Sequence, residues 1–341
     1  MSAAPDDSTL PWLAGPARDI ATRQRGHALL VQGSAGAGVF ELALRVARTW
    51  LCETAGADAP CGRCTACHLL ATNSHPDFLA LLPELTQVEL GWSVGGNDAP
   101  EAGDGEGKAK RKPSKEIRIE AVRDAIGWTQ KSSSRGRAKV LLLFPADSMN
   151  LVASNALLKT LEEPPQGVRL LLVAEDAERL LPTLRSRCQR LQFEGPTPAQ
   201  ALAWLEGQGA ANAPVLLAAA GGQPLAARRL AAEGFDAAAW IALPRRVAEG
   251  RWEPPAGVSI SRLRDVLQKL CHDAMAVAAG AEPRYFTASS LPGAAAWPKL
   301  ADWSQSLARL ARHDEHPFNA PLITDSLLAE AKAVWAKPRR A

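Results

Sequence analysis

ALLVQGSAGAGVF, residues 28–40, is the stretch on which the fold turns. Its largely apolar first five residues read as a buried strand that stops at Gly33, where a glycine turn begins. Beyond the turn, Val39, Leu42, Ala43, Val46, Ala47 and Trp50 recur at intervals of three and four, which is one apolar face of a helix. Strand, glycine loop and helix in that order are the setting of a phosphate-binding P-loop, whose motif is G-x-x-x-x-G-K-[ST]. Gly33 and Gly38 hold the spacing and Gly36 lies between them, but Val39 stands at the lysine position and Phe40 at the hydroxyl position. The loop therefore offers no cation to a γ-phosphate and no oxygen to magnesium. Hydrolysis by this loop is expected to be absent, no ATP is expected in it, and its backbone amides would bind a nucleotide weakly at best. A dinucleotide fingerprint does not fit either, because Gly36-Ala37-Gly38-Val39-Phe40-Glu41 lacks the third glycine.

Three more strand-like runs follow: VLLLF (140–144), VRLLLVA (168–174) and QRLQF (189–193). Between the first two, Leu151, Leu157, Leu158 and Leu161 mark an amphipathic helix that ends before Pro164-Pro165. Strands alternating with helices predict an α/β domain with a mainly parallel sheet. A P-loop enzyme would carry carboxylates for magnesium at the end of the second run. This chain continues Pro145-Ala146-Asp147, and Asp147 reads as a helix-approach or capping acid near Asn150.

From residue 196 alanine and leucine dominate and strand-like runs vanish. Ala199–Leu205 and Pro214–Leu230 are expected to be helical, and Gly234, Pro244 and Glu253-Pro254-Pro255 to punctuate a second boundary. The expected organisation is an α/β domain over 1–195, a small helical domain over 196–240 and a helical domain over 241–341. The 341 residues suit two or three domains, and 47% hydrophobic against 22% charged residues fits globular cores. A net charge of +3 is too mild to imply nucleic acid by itself. No apolar run approaches membrane-helix length and no secretory signal is visible, so a cytoplasmic setting is expected. Residues 92–115 are rich in Gly, Asp, Glu and Lys and read as a mobile insertion; its basic half (Lys108, Lys110, Arg111, Lys112, Lys115) reads as a solvated loop.

Cys52, Cys61, Cys64 and Cys67 form C-x8-C-x2-C-x2-C. Two-residue gaps let neighbouring thiolates converge on one ion, and four thiolates close a tetrahedral zinc site with no position left for water. Such a site is structural. An iron–sulfur cluster uses the same four thiolates, and the spacing does not choose between them. His68 and His75 read as nearby surface residues, and Cys188 and Cys271 as isolated and inert.

NALLKTLEEPP (155–165) and TLRSRC (183–188) closely resemble the clamp-loader branch of the AAA+ ATPases. With the four cysteines directly after the P-loop helix and SHPDF at 74–78, the chain is similar to that branch's delta-prime family over residues 25–195; HPFNAPLITDSLL (316–328) resembles the end of that family's collar domain. The resemblance implies an AAA+ domain followed by a helical lid and a helical collar. It implies a non-hydrolysing subunit of the DNA polymerase III clamp loader, a hetero-pentamer with gamma or tau ATPase subunits and a delta subunit. That complex would place a sliding clamp on primed DNA. GGQPLA (221–226) puts Leu225 where active relatives carry a sensor arginine. Ser186-Arg187-Cys188 matches the family's Ser-Arg-Cys motif, which implies that Arg187 reaches a neighbour's ATP as an arginine finger. Two other readings compete: an ATPase with an atypical loop, and a zinc-containing nucleic-acid binder.

Overall fold

A computed structural model describes residues 10–24, 26–54, 59–92, 113–311 and 319–336. The chain separates into two compact units, Met1–Gln200 and Ala201–Ala341.

The first unit contains, in chain order, α1 (Ala14–Arg23), β1 (Ala28–Gln32), α2 (Val39–Leu51), α3 (Thr65–Ala71), β2 (Phe78–Leu81), α4 (Glu84–Leu90), α5 (Ile119–Thr129), β3 (Lys139–Leu143), α6 (Leu151–Glu162), β4 (Val168–Ala174), α7 (Pro182–Arg185) and β5 (Gln189–Gln192). The five strands form one sheet in the order β2-β3-β4-β1-β5, with every neighbouring pair parallel. This is the α/β parallel sheet that the sequence predicts. Burial on both faces explains its leucine-rich strands. Leu141, Leu143, Leu170 and Leu172 pack with Val122, Leu157 and Leu161 of α5 and α6. Val140 packs on the other side, with Ala47, Leu51 and Leu70 of α2 and α3. Alternation along β3 thus assigns one helical layer to each face.

β2 was not expected, because FLAL is too short and too unpatterned to stand out. Its placement comes from its register with β3 (Phe78 opposite Val140) and from Asp77, which is fully buried. The Asp77 carboxylate accepts from the amides of Ser134 (2.8 Å) and Arg135 (3.0 Å) and from the Ser133 hydroxyl (3.0 Å). Residues 93–112 of the anticipated insertion lie outside the described residues.

The second unit is helical: α8 (Pro198–Gly207, which starts in the first unit), α9 (Ala213–Ala219), α10 (Pro224–Ala232), α11 (Ala237–Glu249), α12 (Ile260–Ala278), α13 (Trp297–Ala311) and α14 (Ala320–Trp335). Two expectations need correction. Pro214–Leu230 is not one helix: Gly221 and Gly222 take left-handed φ values of 67° and 82° and divide it into α9 and α10. Pro244 is no boundary, since it lies inside α11. Leu243 and Val247 of α11 join the core formed by α12, α13 and α14, with Leu267, Trp303 and Leu327. His316 to Phe318 of the HPFNAPLITDSLL stretch lie outside the described residues, and Asn319 caps α14 by accepting from the Leu322 amide (3.3 Å).

Candidate functional site

The glycine loop sits between β1 and α2, as the sequence predicts, and its amides are already engaged. Residues Ala35–Ala37 wind into a 3-10 turn, and Gly38 at φ 97° starts α2. Gly33 donates to the Ala174 carbonyl (3.1 Å), Ala37 to Ser34 O (3.1 Å) and Gly38 to Ala35 O (3.1 Å). Gly36 donates to the Ser34 hydroxyl (3.2 Å). Ala35 donates to the carboxylate of Glu175, just past β4, at 3.0 Å. A carboxylate from within the chain thus takes an amide that a phosphate cradle would present. Gly33 sits in a tight spot, because a Cβ there would meet the Phe193 carbonyl at 3.0 Å and Val39 Cγ2 at 3.1 Å, and those neighbours would have to give by a few tenths of an ångström.

Val39 and Phe40 are buried. Phe40 stacks on Phe144 with ring centroids 4.7 Å apart and meets Trp92 edge-on at 5.6 Å. Phe144 directly follows β3, where a magnesium-binding carboxylate would stand. Both halves of a metal–phosphate site are therefore aromatic. Asp147 is not the cap of α6; that role belongs to Asn150, which accepts from the Ala153 amide at 3.0 Å. Asp147 instead accepts from the amide of Glu175 (3.2 Å), holding the segment that carries the plugging carboxylate.

The four cysteines do converge: their sulfurs all lie within 4.8 Å of one another. Cys52 caps the C-terminus of α2, and Cys64 caps the N-terminus of α3, accepting from the Cys67 amide at 3.4 Å. Gly62, at φ 68°, supplies the turn between Cys61 and Cys64. Cys52 and Cys64 sulfurs are 4.0 Å apart, close to the roughly 3.8 Å edge of a tetrahedron with metal–sulfur bonds of about 2.3 Å. None of the cysteines is in a disulfide. The donor set and spacing fit a four-thiolate metal ion. Without one, the thiols differ. A hydrogen bond from the Thr54 side chain, helped by the Arg63 amide, pushes Cys61 down to about 5. Burial pushes Cys64 up, but the Cys67 and Glu53 amides outweigh it and hold this thiol below its ordinary value. Burial drives Cys67 well above the ordinary thiol range. Cys61 is thus held as a thiolate ready to capture an ion, and the inner Cys67 yields its proton only when metal replaces it.

His75 is not a surface residue: it is 4% exposed, and its Nδ1 accepts from the Asp77 amide at 3.1 Å. SHPDF therefore serves as a buried clasp rather than as a ligand set. Glu53 and Arg135 form an ion pair beside it.

Ser186 ends α7, and its hydroxyl donates to Thr183 O at 3.1 Å. The Arg187 guanidinium donates to the same carbonyl at 2.9 Å and pairs with Glu162 at the end of α6. Cys188 is buried in the core, where burial pushes its thiol up to about 11. The motif therefore alternates an anchored hydroxyl, a partly exposed cation and a buried thiol.

A family model described as DNA polymerase III, delta subunit, matches residues 16–197, which is more than half of the chain and includes the loop, the four cysteines and Ser186-Arg187-Cys188. The chain belongs to this DNA polymerase III family. Its curated relatives include delta-prime subunits: that of Pseudomonas aeruginosa is 37% identical over 229 residues, 66% of this chain and 62% of the relative. That of Escherichia coli is 34% identical over 214 residues, 61% of this chain and 56% of the relative. The matched stretch thus spans less than two thirds of either relative's length. A solved DNA polymerase III gamma subunit-related protein from Thermotoga maritima aligns over 95% of this chain and 99% of its own, at TM-score 0.42 and 15% identity. Among the described residues, no helix is long and apolar enough to cross a membrane.

Proposed function

We propose that this chain is the delta-prime subunit of a bacterial clamp loader, a non-hydrolysing member that completes an ATP site on a neighbour. The observation that carries the reading is that this chain's own nucleotide position is filled from within, by the Glu175 carboxylate on the loop and by Phe40 packed on Phe144. Leu225 at the sensor position is likewise buried in α10. Arg187 keeps a charge at the surface, tied to Glu162 and Thr183. An exposed pair of this kind contributes about 0–1 kcal/mol, so a neighbour's γ-phosphate can replace Glu162 at small cost. Arginine fingers are worth about 10³–10⁵ in rate in other NTPases.

The partners on this reading are gamma or tau ATPase subunits and a delta subunit in a hetero-pentamer, with the sliding clamp and primed DNA reached through the complex. The four thiolates would hold a structural zinc ion, because a closed tetrahedral set leaves no position for water or substrate. The helices from α8 onward would form lid and collar, with α11 in the collar because its apolar residues enter that core. The deciding experiment is reconstitution with gamma or tau, delta, clamp and primed DNA. Arg187→Ala is expected to leave assembly intact and to lower ATP turnover. Unchanged turnover rejects the finger, and brisk turnover by the isolated chain favours the atypical ATPase.

A further inference from the structure

Away from the glycine loop, where β1, β3 and β4 begin, the first unit has a cavity of about 360 Å³. Its polar lining is wholly basic or neutral: His27, Arg137 and Arg169, with Gly26 and Gly167 opening the backbone. Among the described residues, neither arginine has a carboxylate within ion-pair distance. Arg137 is tied to the Cys52 carbonyl, and His27 Nε2 lies 2.7 Å from the Leu161 carbonyl.

Arg169 is the unusual member. It enters the sheet on β4 opposite Val140, and its guanidinium lies over the Trp50 ring at 4.7 Å. Its Nη1 and the neighbouring Trp50 Nε1 are both buried donors with no acceptor. Orphaned buried donors are rare in folded proteins and are costly to leave unmet. Burial also lowers the Arg169 pKa, as expected of a desolvated cation with no counter-charge. Arginine stays charged even so. Two guanidiniums and no acid line the cavity, and one of them, Arg169, carries an unmet donor.

We propose that this basal cavity binds a phosphate group, held by Arg169 and Arg137 with His27 at its rim. Charge selects phosphate over carboxylate: a group carrying about −1.5 to −2 at neutral pH balances two guanidiniums, whereas a carboxylate leaves one unmatched. The guanidinium fork also matches phosphate oxygens bidentately. Inorganic phosphate and a phosphate monoester share this chemistry. The site lies outside the glycine loop and is independent of the arginine-finger reading.

The test uses the full metal-bound chain, with calorimetry and thermal melting in inorganic phosphate, glycerol phosphate or acetate at matched ionic strength. Phosphate or its ester is expected to bind one per chain and to raise the melting temperature, with acetate at least about tenfold weaker. Binding of inorganic phosphate alone assigns the free ion, and preference for glycerol phosphate assigns an ester. Arg169→Met is expected to abolish the phosphate-dependent shift while melting no lower than wild type in phosphate-free buffer, since the cation it removes has no counter-charge and methionine keeps an apolar contact with Trp50. Should that variant fold poorly, Arg137→Ala is expected to weaken binding at least about tenfold. Equal response to acetate and phosphate, no binding by wild type, or undiminished binding by the variants would overturn the assignment.

Discussion

Phe40 lies stacked on Phe144 at 4.7 Å, so the residue at the hydroxyl position of the glycine loop packs on the residue that closes β3. This pair puts aromatic packing at the two positions where a P-loop enzyme carries its hydroxyl and its magnesium-binding carboxylate. Phe40 is fully inside, and stacking adds about 0.5–1.5 kcal/mol beyond area burial. Phe40→Ser is therefore expected to cost about 3–5 kcal/mol, the range for truncating a buried aromatic, and to create no ATPase. Urea unfolding and a phosphate-release assay check both outcomes; a stable variant would mean that the aromatic is not structural.

Glu175 plugs the loop through the Ala35 amide. Glu175→Ala frees that donor and removes a negative charge from the place a phosphate would occupy. Affinity for a fluorescent ADP analogue is expected to rise several-fold, read by anisotropy, while the isolated chain still does not hydrolyse ATP. No gain in affinity would show that the carboxylate is not what fills the loop.

The cysteines fall into two chemical groups. Burial pushes Cys188 up to about 11 and Cys271 up to about 12, so neither thiol is nucleophilic near pH 8. The other four are masked when they share an ion. A thiol reagent at pH 8 is expected to find no reactive cysteine in the metal-bound fold. Chelation should expose four, Cys61 first because Thr54 holds it as thiolate, and denaturant all six. Early reaction of Cys188 or Cys271 would contradict their placement.

His75 makes the fold acid-sensitive. Burial lowers its pKa below the ordinary 6.5, and its Nδ1 already accepts from the Asp77 amide. The unfolded chain therefore binds a proton that the folded chain resists, so this contribution is complete above pH 6.5 and declines as pH falls toward the folded pKa. Stability of wild type is expected to drop more steeply between pH 7 and 5 than that of His75→Gln, measured by urea midpoints. Parallel pH profiles would remove His75 from the account.

The sequence by itself determined the strand, glycine turn and helix over residues 28–51, three further strands, the failure of the lysine and hydroxyl positions, and the metal-like cysteine spacing. These are local: apolar periodicity, glycine conformation and two-residue gaps act within a turn or two of chain. The resemblance carried Arg187, since no spacing separates a finger from a surface arginine. Tertiary structure alone decided the rest. β2 exists because Asp77 draws in amides from residues 134 and 135, and α9 separates from α10 because two glycines take left-handed backbone. Glu175 meets Ala35 across 140 residues, and Arg169 meets Trp50 between a strand and a helix. Hydrogen bonds and desolvation depend on which groups the fold brings within a few ångströms, and one-dimensional pattern does not carry that proximity.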